Sequence, residues 1–285
     1  MIGFINVYKP SNITSNAVVQ KIKKQFNIKK IGHMGTLDPL ACGLLPIAVG
    51  KATRLFDYFL QKKKIYNVIF DFGYETDTLD ITGQVINATN IIPNELELIN
   101  AVNLMIGKQL QMPPKYSAKN INGKRAYDLA RNGINFELKP NEIEIFEFDL
   151  IEKISDTKYK FKIVCSSGTY IRAIGRDLAK YLNTFATMSF LERVEMGYFS
   201  VDNSIKLDDL LQLESIDDVL ISPLKVFSHF DTIDIDDATY KDLVDGKVVE
   251  STSIKNNTFV INNSIIVGVA TPRENQLKID TFLKE

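Results

Sequence analysis

Residues 32–50 read Gly-His-Met-Gly-Thr-Leu-Asp-Pro-Leu-Ala-Cys-Gly-Leu-Leu-Pro-Ile-Ala-Val-Gly. The segment holds one carboxylate, Asp38, among glycines and prolines that favour tight turns and leave the backbone little covered. The apolar run over residues 44–49 is too short to cross a membrane and is typical of a buried strand. An isolated Asp-Pro pair would be an ordinary surface turn. The adjoining strand instead places Asp38 at the lip of the core, where it can be presented as a nucleophile.

The composition is that of a soluble globular protein. The chain has 285 residues, of which 45% are hydrophobic and 24% are charged, and this length allows one large domain or two. No stretch predicts a signal peptide or a membrane span, so we expect a cytoplasmic protein. Cys42 and Cys165 have no metal-like spacing, and His33 and His229 are too few for a histidine site. We therefore expect neither a disulfide nor a structural metal.

The net charge of -1 hides an uneven distribution of charge along the chain. Residues 1–64 hold 11 Lys and Arg against 2 Asp, and residues 108–139 hold 7 against 2 acids. Residues 202–250, in contrast, hold 13 acids against 4 Lys. Two basic segments indicate a polyanionic partner such as RNA, although lysines on a solvated helix face would give part of the same count.

Hydrophobic periodicity and capping residues predict a mixed α/β fold with much antiparallel sheet. Strands are predicted over residues 2–8, 66–72, 142–153, 158–166 and 187–199, and helices over 15–26 (with Ser15 as N-cap), 51–61, 94–105, 124–132 and 169–182. After Pro223 the chain changes to short strand-like runs with Asn-rich turns. We expect two domains, over residues 1–226 and 227–285, the second small and rich in β-structure.

Arg172 occupies the first turn of the predicted helix over 169–182, where a cation opposes the helix macrodipole. Some other interaction should therefore hold it there. A hydrogen-bonded ion pair with Asp38 would keep that carboxylate ionised and aimed. From position alone, a surface arginine bonded to a loop carbonyl is equally compatible with the sequence.

Three further residues have two interpretations each. Tyr66 is either a half-buried aromatic at a strand end or a side chain that stacks on a nucleobase. Leu191 and His33 have a second interpretation only through the family resemblance given below: Leu191 is otherwise plain core, where the resemblance implies an apolar contact of that base, and His33 is otherwise a turn residue, where it implies a substrate contact rather than an acid or base.

The 32–50 segment resembles the signature of bacterial tRNA pseudouridine synthases of the TruB type, which isomerise the T-loop uridine (U55) of tRNA. Other matching stretches are Lys64-Ile65-Tyr66, Gly-Thr-Tyr-Ile-Arg ending at Arg172, and Pro-Pro-Lys-Tyr-Ser-Ala followed by Gly-Lys-Arg-Ala-Tyr-Asp-Leu-Ala-Arg. The Pro-Pro-Lys-Tyr-Ser-Ala and Gly-Lys-Arg-Ala-Tyr-Asp-Leu-Ala-Arg stretches match the RNA-gripping insertion of that family, here about residues 108–139. A match of this length, with glycines and prolines in register, is more specific than a short motif.

The resemblance implies a pseudouridine-synthase fold: an α/β (α+β) domain with a mainly antiparallel mixed sheet flanked by helices, plus a degenerate PUA-like C-terminal domain. It implies Asp38, Tyr66 and Arg172 as catalytic residues. It also implies a set of substrate contacts: His33, Lys64, Leu191, Lys119, Lys124 and Arg125. Thr76 to Gly83 matches another family motif, which we interpret as an Asx-rich turn supporting the catalytic strand.

The reaction implied by the resemblance needs no cofactor or metal, and the expected partner is the T arm and elbow of tRNA, bound by a monomer without an obligate protein partner. Whether Asp38 attacks C1′ of the ribose or C6 of the uracil stays open. Asn120 and Glu192 replace positive charges usual in the family, which puts tRNA affinity in question more than chemistry. An RNA chaperone without catalysis is the alternative function. A glycoside-cleaving enzyme is disfavoured because the segment offers one carboxylate rather than two.

Overall fold

The computed structural model of the protein describes residues 1–59, 63–117, 119–121, 123–251 and 254–284. Strands in these residues are β1 (Gly3–Lys9), β2 (Ile31–His33), β3 (Cys42–Val49), β4 (Lys64–Phe72), β5 (Tyr74–Thr76), β6 (Val85–Ala88), β7 (Gly107–Gln111), β8 (Asn120–Ile121), β9 (Lys124–Arg125), β10 (Asn141–Lys153), β11 (Lys158–Cys165), β12 (Ala186–Met196), β13 (Phe199–Ser200), β14 (Ile205–Lys206), β15 (Asp231–Asp234), β16 (Val249–Glu250), β17 (Thr258–Asn262), β18 (Ile265–Ala270), β19 (Gln276–Leu277) and β20 (Thr281–Phe282).

The α-helices in these residues are α1 (Ser15–Gln25), α2 (Phe56–Phe59), α3 (Glu95–Leu104), α4 (Ala126–Arg131), α5 (Ile171–Tyr181), α6 (Leu207–Leu210), α7 (Pro223–Val226) and α8 (Asp237–Val244). Short 3-10 helices cover Gly50–Leu55, Val201–Asn203 and Asp217–Val219. Within the described residues, no helix combines the length and the apolar character needed to cross a bilayer.

The chain folds into two compact units. Unit 1 contains Met1–Asp38, Leu44–Leu60 and Tyr198–Glu285, and unit 2 contains Pro39–Gly43 and Gln61–Gly197. Asp38 is thus the last residue of unit 1 before the chain enters unit 2. The domain boundary at 226/227 stays a prediction, because the compact units follow a different division of the chain.

Unit 1 is built around β1, which lies between β14 and β3 in one sheet. β14 pairs with β1 in parallel, and β2 pairs with β3 antiparallel. All eight residues of β3 are buried, as the apolar run predicts. The last part of unit 1 forms a four-stranded sheet in the order β15-β17-β18-β20, which fits the predicted β-rich C-terminal part.

An aromatic cluster forms the core of unit 1. The ring centroid of Phe4 lies 5.4 Å from that of Phe59 and 6.0 Å from that of Phe227. The Phe230 ring contacts the rings of Phe227 and Phe259, at 5.0 and 5.3 Å. Because residues after 226 share this core with β1, a truncation after Phe227 would expose aromatic surface on the remaining chain.

Unit 2 contains an antiparallel sheet in the strand order β12-β4-β11-β10-β7. At its β12 edge, the first two residues of β3 pair in parallel with β12 through Cys42↔Glu192 and Gly43↔Arg193. Helix α5 packs against β4 and β12. A Cβ added at Gly175 of α5 would lie 2.6 Å from the Phe70 ring of β4, so the helix approaches the strand too closely for a larger residue. This contact fixes α5, which carries Arg172.

Several local predictions are confirmed and several are wrong in detail. The capping box of α3 forms between Asn94 and Glu97, and β10 pairs with β11. The N-cap of α1 is Thr14 instead of Ser15, since the Thr14 hydroxyl accepts from the amide of Ala17. The helix predicted over 51–61 is a 3-10 helix followed by one turn of α2, and residues 60–62 lie outside the described residues. Helix α4 begins at Ala126 because the two residues before it form β9.

Candidate active site

Asp38 lies in the loop between β2 and β3 and is half-buried. The residue before it, Leu37, is only 4% exposed and anchors the loop in the core of unit 1. The amide of Met34 donates to the carbonyl of Pro46 at 2.8 Å, which ties the start of the loop to β3. The loop that presents Asp38 is therefore held by buried contacts on its N-terminal side.

Ser15 makes the most direct of these contacts. Its hydroxyl accepts from the Leu37 amide at 2.9 Å and donates to the Leu37 carbonyl at 3.1 Å, so both backbone groups of the residue before Asp38 are satisfied by one buried side chain. The sequence predicted a helix cap here. Because Thr14 caps α1, the Ser15 hydroxyl is available to hold the loop.

We expect Ser15→Ala to lower the rate of the chemical step and to destabilise the fold by about 1–3 kcal/mol, because the Leu37 amide and carbonyl lose a buried partner. Urea unfolding and single-turnover rates at saturating RNA measure the two effects. Thr14→Ala is the matched control: it removes the helix cap, at a cost of about 1 kcal/mol, without touching Leu37. A Ser15→Ala rate equal to that of Thr14→Ala would contradict a positioning role.

In unit 2, the register of β4 and β12 brings together a predicted catalytic residue and a predicted substrate contact. Tyr66 is opposite Arg193, and Val68 is opposite Leu191, with no register shift between the two pairs. Tyr66 and Leu191 therefore lie diagonally on one face of the strand pair, a separation that an aromatic ring can span. Tyr66, Leu191 and Arg193 are all buried.

The chain that follows Asp38 joins this part of unit 2. Gly43 pairs with Arg193 in the parallel ladder and has a φ of 95°. A Cβ on Gly43 would lie 2.4 Å from the Arg193 carbonyl oxygen, so only glycine permits this backbone approach. The close approach to Arg193 therefore explains why the signature has a glycine at position 43.

Arg172 is buried at the start of α5 and its guanidinium is held by three groups of unit 2. Nη1 donates to the carbonyl of Thr78 at 2.9 Å, Nη2 donates to the carbonyl of Tyr116 at 3.0 Å, and Nη1 lies 3.5 Å from the Asp80 carboxylate. The prediction that other interactions hold this cation against the macrodipole is confirmed. Pairing of Arg172 with Asp38, which belongs to unit 1, stays a prediction.

Asp80 is the residue that the sequence reasoning missed as a charge partner. The predicted Asx-rich turn is confirmed, because Asp80 Oδ1 accepts from the Thr82 amide at 3.0 Å and Asp77 Oδ1 accepts from the Gln84 amide at 2.9 Å. The second carboxylate oxygen of Asp80, Oδ2, faces Arg172. The available signal was the aspartate at position 80 within the predicted turn. Its partner, Arg172, is too distant in sequence to be inferred from this signal.

Lys64 starts β4 and lies opposite Cys165 of β11. Burial, together with the nearby charge of Arg193, lowers the pKa of the Lys64 amine to about 8. Burial raises the pKa of the Cys165 thiol to about 11, so this thiol is protonated at neutral pH. The half-buried Lys64 thus retains most of its charge at pH 7, and its predicted contact with substrate stays a prediction.

The remaining predicted substrate residues belong to other elements. His33 is half-buried in β2 of unit 1, opposite Ile47 of β3. Lys119 donates to the Lys139 carbonyl at 2.7 Å and to Asn141 Oδ1 at 2.6 Å, so its ammonium closes the base of the insertion. Lys124 and Arg125 are exposed in β9. Their roles in binding remain predictions.

The structure gives local reasons for the two departures from the family pattern. Asn120 Oδ1 accepts from the Gly123 amide at 2.8 Å, within the turn that joins β8 to β9. Glu192 accepts from the side-chain amide of Asn67, its cross-strand neighbour, at 3.4 Å. Both side chains thus have partners in the protein.

Among the described residues, no three or more His, Cys, Asp and Glu side chains are grouped so that they could hold a metal ion. Cys42 and Cys165 are both buried, and neither forms a disulfide within the described residues.

Comparison with known proteins places these features in a family. Residues 23–171 match the sequence model described as TruB family pseudouridylate synthase, N-terminal domain. A relative named tRNA pseudouridine synthase B from Clostridium novyi is 42% identical over 246 residues, which are 86% of this chain and 84% of the relative. Another, from Clostridium perfringens strain 13, carries the same name and is 35% identical over the full length of both chains.

Solved structures share the fold. An H/ACA ribonucleoprotein bound to a substrate RNA containing 2′-deoxyuridine includes a chain with a TM-score of 0.71 and 21% identity, covering 99% of this chain and 85% of that one. A chain of a Cbf5-Nop10-Gar1 complex gives a TM-score of 0.70 and 23% identity, covering 99% and 87%. With the family match and full-length relatives above 30% identity, the chain belongs to the TruB family of pseudouridylate synthases.

Proposed function

We propose that this protein converts the T-loop uridine (U55) of tRNA to pseudouridine with Asp38 as the nucleophile, Tyr66 on the flipped base and Arg172 as the cation that orients the site. The activity as a tRNA pseudouridine synthase agrees with the relatives of the same name. The main structural support for these roles is that Tyr66 and Leu191 lie on one face of the β4–β12 strand pair. Strand β3, which follows Asp38 in the chain, begins beside β12.

The reaction breaks the N1–C1′ glycosidic bond, joins C5 to C1′, and moves a proton from C5 to N1. The uridine must first leave its stack, at a cost of a few kcal/mol. The Tyr66 ring and Leu191 offer an aromatic and an apolar surface for the flipped base. Asp38 then attacks C1′ or C6 and forms a covalent intermediate, and Tyr66 assists the removal of the C5 proton.

Arg172 supplies a fixed positive charge for this chemistry. Two carbonyls and the Asp80 carboxylate hold its planar guanidinium in one orientation. Such preorganised charge costs no reorganisation during the reaction. Pairing with Asp38 would keep the nucleophile ionised and aimed.

The activity is tested with unmodified tRNA transcribed with uridine tritiated at C5. Isomerisation releases the C5 tritium to water, and chemical mapping of the product locates the pseudouridine. We expect release of one tritium per tRNA from U55 alone. Binding without release would favour the chaperone function instead.

We propose that the insertion over residues 108–139 grips the RNA through its exposed cations. Neutralising Lys124 and Arg125 together, as Lys124→Gln/Arg125→Gln, should weaken tRNA binding and reduce the slope of log affinity against log salt by about 2, since each phosphate contact contributes about 1. Lys119→Gln acts differently, because its ammonium holds Lys139 and Asn141. We expect it to loosen the insertion and raise its protease sensitivity.

The matched control is Lys255→Gln/Lys278→Gln, which neutralises two exposed lysines of the C-terminal β-structure. Filter binding over a range of salt concentrations compares the two double variants. Equal salt slopes would place the phosphate contacts outside the insertion.

A further inference from the structure

Unit 1 contains a cavity of about 370 Å³ that the proposed reaction does not use. Its lining includes Ile2, Lys51, Ser222, Ser264, Ile266 and Lys284, all of which belong to unit 1. We refer to it as the Lys51–Lys284 cavity. Its lining combines lysine and serine side chains with the aliphatic side chains of Ile2 and Ile266.

Long-range contacts of unit 1 build this cavity. The backbone of Phe4 exchanges two hydrogen bonds with Ile221, at 2.8 and 2.7 Å, which brings Ser222 beside the start of β1. The Lys284 amide donates to the Val267 carbonyl at 3.0 Å, so the last described residues run along β18. The Lys51 ammonium donates to the Lys284 carbonyl, so the 3-10 helix that contains Lys51 is tied to the last described residues.

The polar part of the lining is cationic and rich in donors. Within the described part of the chain, neither Lys51 nor Lys284 has a carboxylate at salt-bridge distance, and none of the described lining residues is acidic. The Lys284 ammonium lies 4.0 Å from the centroid of the Tyr240 ring, a cation–π contact that leaves its N–H groups able to donate to an anion as well. Two ammonium groups beside one cavity attract an anion.

Two hydroxyls complete the donor set. The Ser222 oxygen accepts from the Leu224 amide at 3.3 Å and retains its proton for an acceptor. Ser264 lies in the two-residue turn between β17 and β18, where Asn263 and Ser264 have φ values of 50° and 62°. Positive φ at both positions is typical of a tight hairpin turn, which fixes the backbone of Ser264 beside the cavity.

We propose that the Lys51–Lys284 cavity binds a nucleotide unit, with its phosphate between Lys51 and Lys284 and its sugar or base against Ile2 and Ile266. A bare inorganic anion would leave the aliphatic walls without a partner, and a neutral apolar molecule would leave both ammonium groups without one. A phosphate with an organic body satisfies both parts of the lining. The unit is either a free mononucleotide or a nucleotide of the tRNA, and the latter source depends on the proposed function.

The probe for the first source is adenosine 5′-monophosphate, with adenosine and inorganic phosphate as controls. Titration of the full chain, followed by calorimetry, should show tighter binding of the monophosphate than of either control. In Lys51→Gln/Lys284→Gln, this affinity should fall by about tenfold or more. Glutamine at 51 can still donate to the Lys284 carbonyl, and Lys51→Arg, which keeps the charge, should retain binding.

The second source is tested with tRNA. If the unit is a tRNA nucleotide, the same double variant lowers tRNA affinity and reduces its salt slope by about 1, whereas Lys255→Gln/Lys278→Gln does not. If it is a free nucleotide, tRNA affinity is unchanged while binding of the monophosphate is lost. Equal monophosphate binding by wild type and double variant, or no monophosphate binding with unchanged tRNA affinity, overturns the proposal. Tritium release by the wild type is measured separately, so failure of the proposed function leaves the monophosphate titration interpretable.

Discussion

Asp38→Asn is expected to abolish pseudouridine formation while leaving tRNA binding intact. The amide matches the carboxylate in size, but it replaces one acceptor oxygen by an NH2 donor and cannot form the covalent bond to the nucleotide. The anchor from Ser15 to Leu37 remains in this variant, so the loop keeps its position. We expect the single-turnover rate to fall by about 10⁴-fold or more, as it does when other enzymes lose a nucleophile.

The measurement is tritium release at saturating tRNA, with the affinity obtained from filter binding. Asp57→Asn is the matched control, because Asp57 is the other acid of the basic first segment and is exposed in α2. Mass spectrometry of the variant must exclude deamidation back to aspartate. A rate within tenfold of the wild type in undeamidated protein would remove Asp38 from the nucleophile role.

Arg172→Lys should lower the rate by roughly 100- to 1000-fold, a loss similar to that of one preorganised donor in other active sites. Lysine keeps the positive charge but lacks the planar fork that reaches Thr78, Tyr116 and Asp80 at the same time. The charge therefore loses its fixed orientation. Because the Asp80 carboxylate retains a cation beside it, we expect the fold to survive.

Arg176→Lys serves as the control one turn later on α5, where the guanidinium donates to Asp177 and to the carbonyl of Met112. Rates and thermal unfolding are compared for both variants. If Arg172→Lys turned over at the rate of Arg176→Lys, the guanidinium geometry would have no catalytic role. If Arg172→Lys lost rate only in proportion to the unfolded fraction, its role would be structural.

The buried Lys64 makes the stability of the fold depend on pH. The Lys64 amine has a pKa of about 8 because it is buried near Arg193. Its folded-state pKa lies below its unfolded value, so the folded protein binds this proton less tightly. Burial of the charged amine therefore lowers the free energy of unfolding at neutral pH. This penalty disappears as the pH rises from about 8 toward 10.5, so the free energy of unfolding increases over that range.

Arg172 shows which features of the site could be predicted from the sequence and which could not. Helical periodicity located α5 and showed that a cation opposes the dipole at its start, so a compensating partner was required. The identity of that partner could not be read from the chain. Asp80 lies in a separate turn, and its own local hydrogen bonds explain its residue type without reference to Arg172.

Ser15 shows the opposite case, in which a local rule gave a wrong assignment. Ser and Thr are both good helix caps, and two adjacent candidates cannot be separated by propensity. The structure assigns the cap to Thr14 and turns Ser15 toward Leu37, twenty-two residues away in sequence. Only the packing of α1 against the loop decides this.

The sequence by itself determined the elements whose signals are local: the buried strand β3 after Asp38, the capping box of α3, the paired strands β10 and β11, and the helix carrying Arg172. Side-chain periodicity and capping depend on neighbours a few residues apart, so a single chain reveals them. The tertiary structure alone decided that Tyr66 and Leu191 share a face and that Asp80 holds Arg172. Strand register and buried ion pairs depend on long-range packing, which no local pattern specifies.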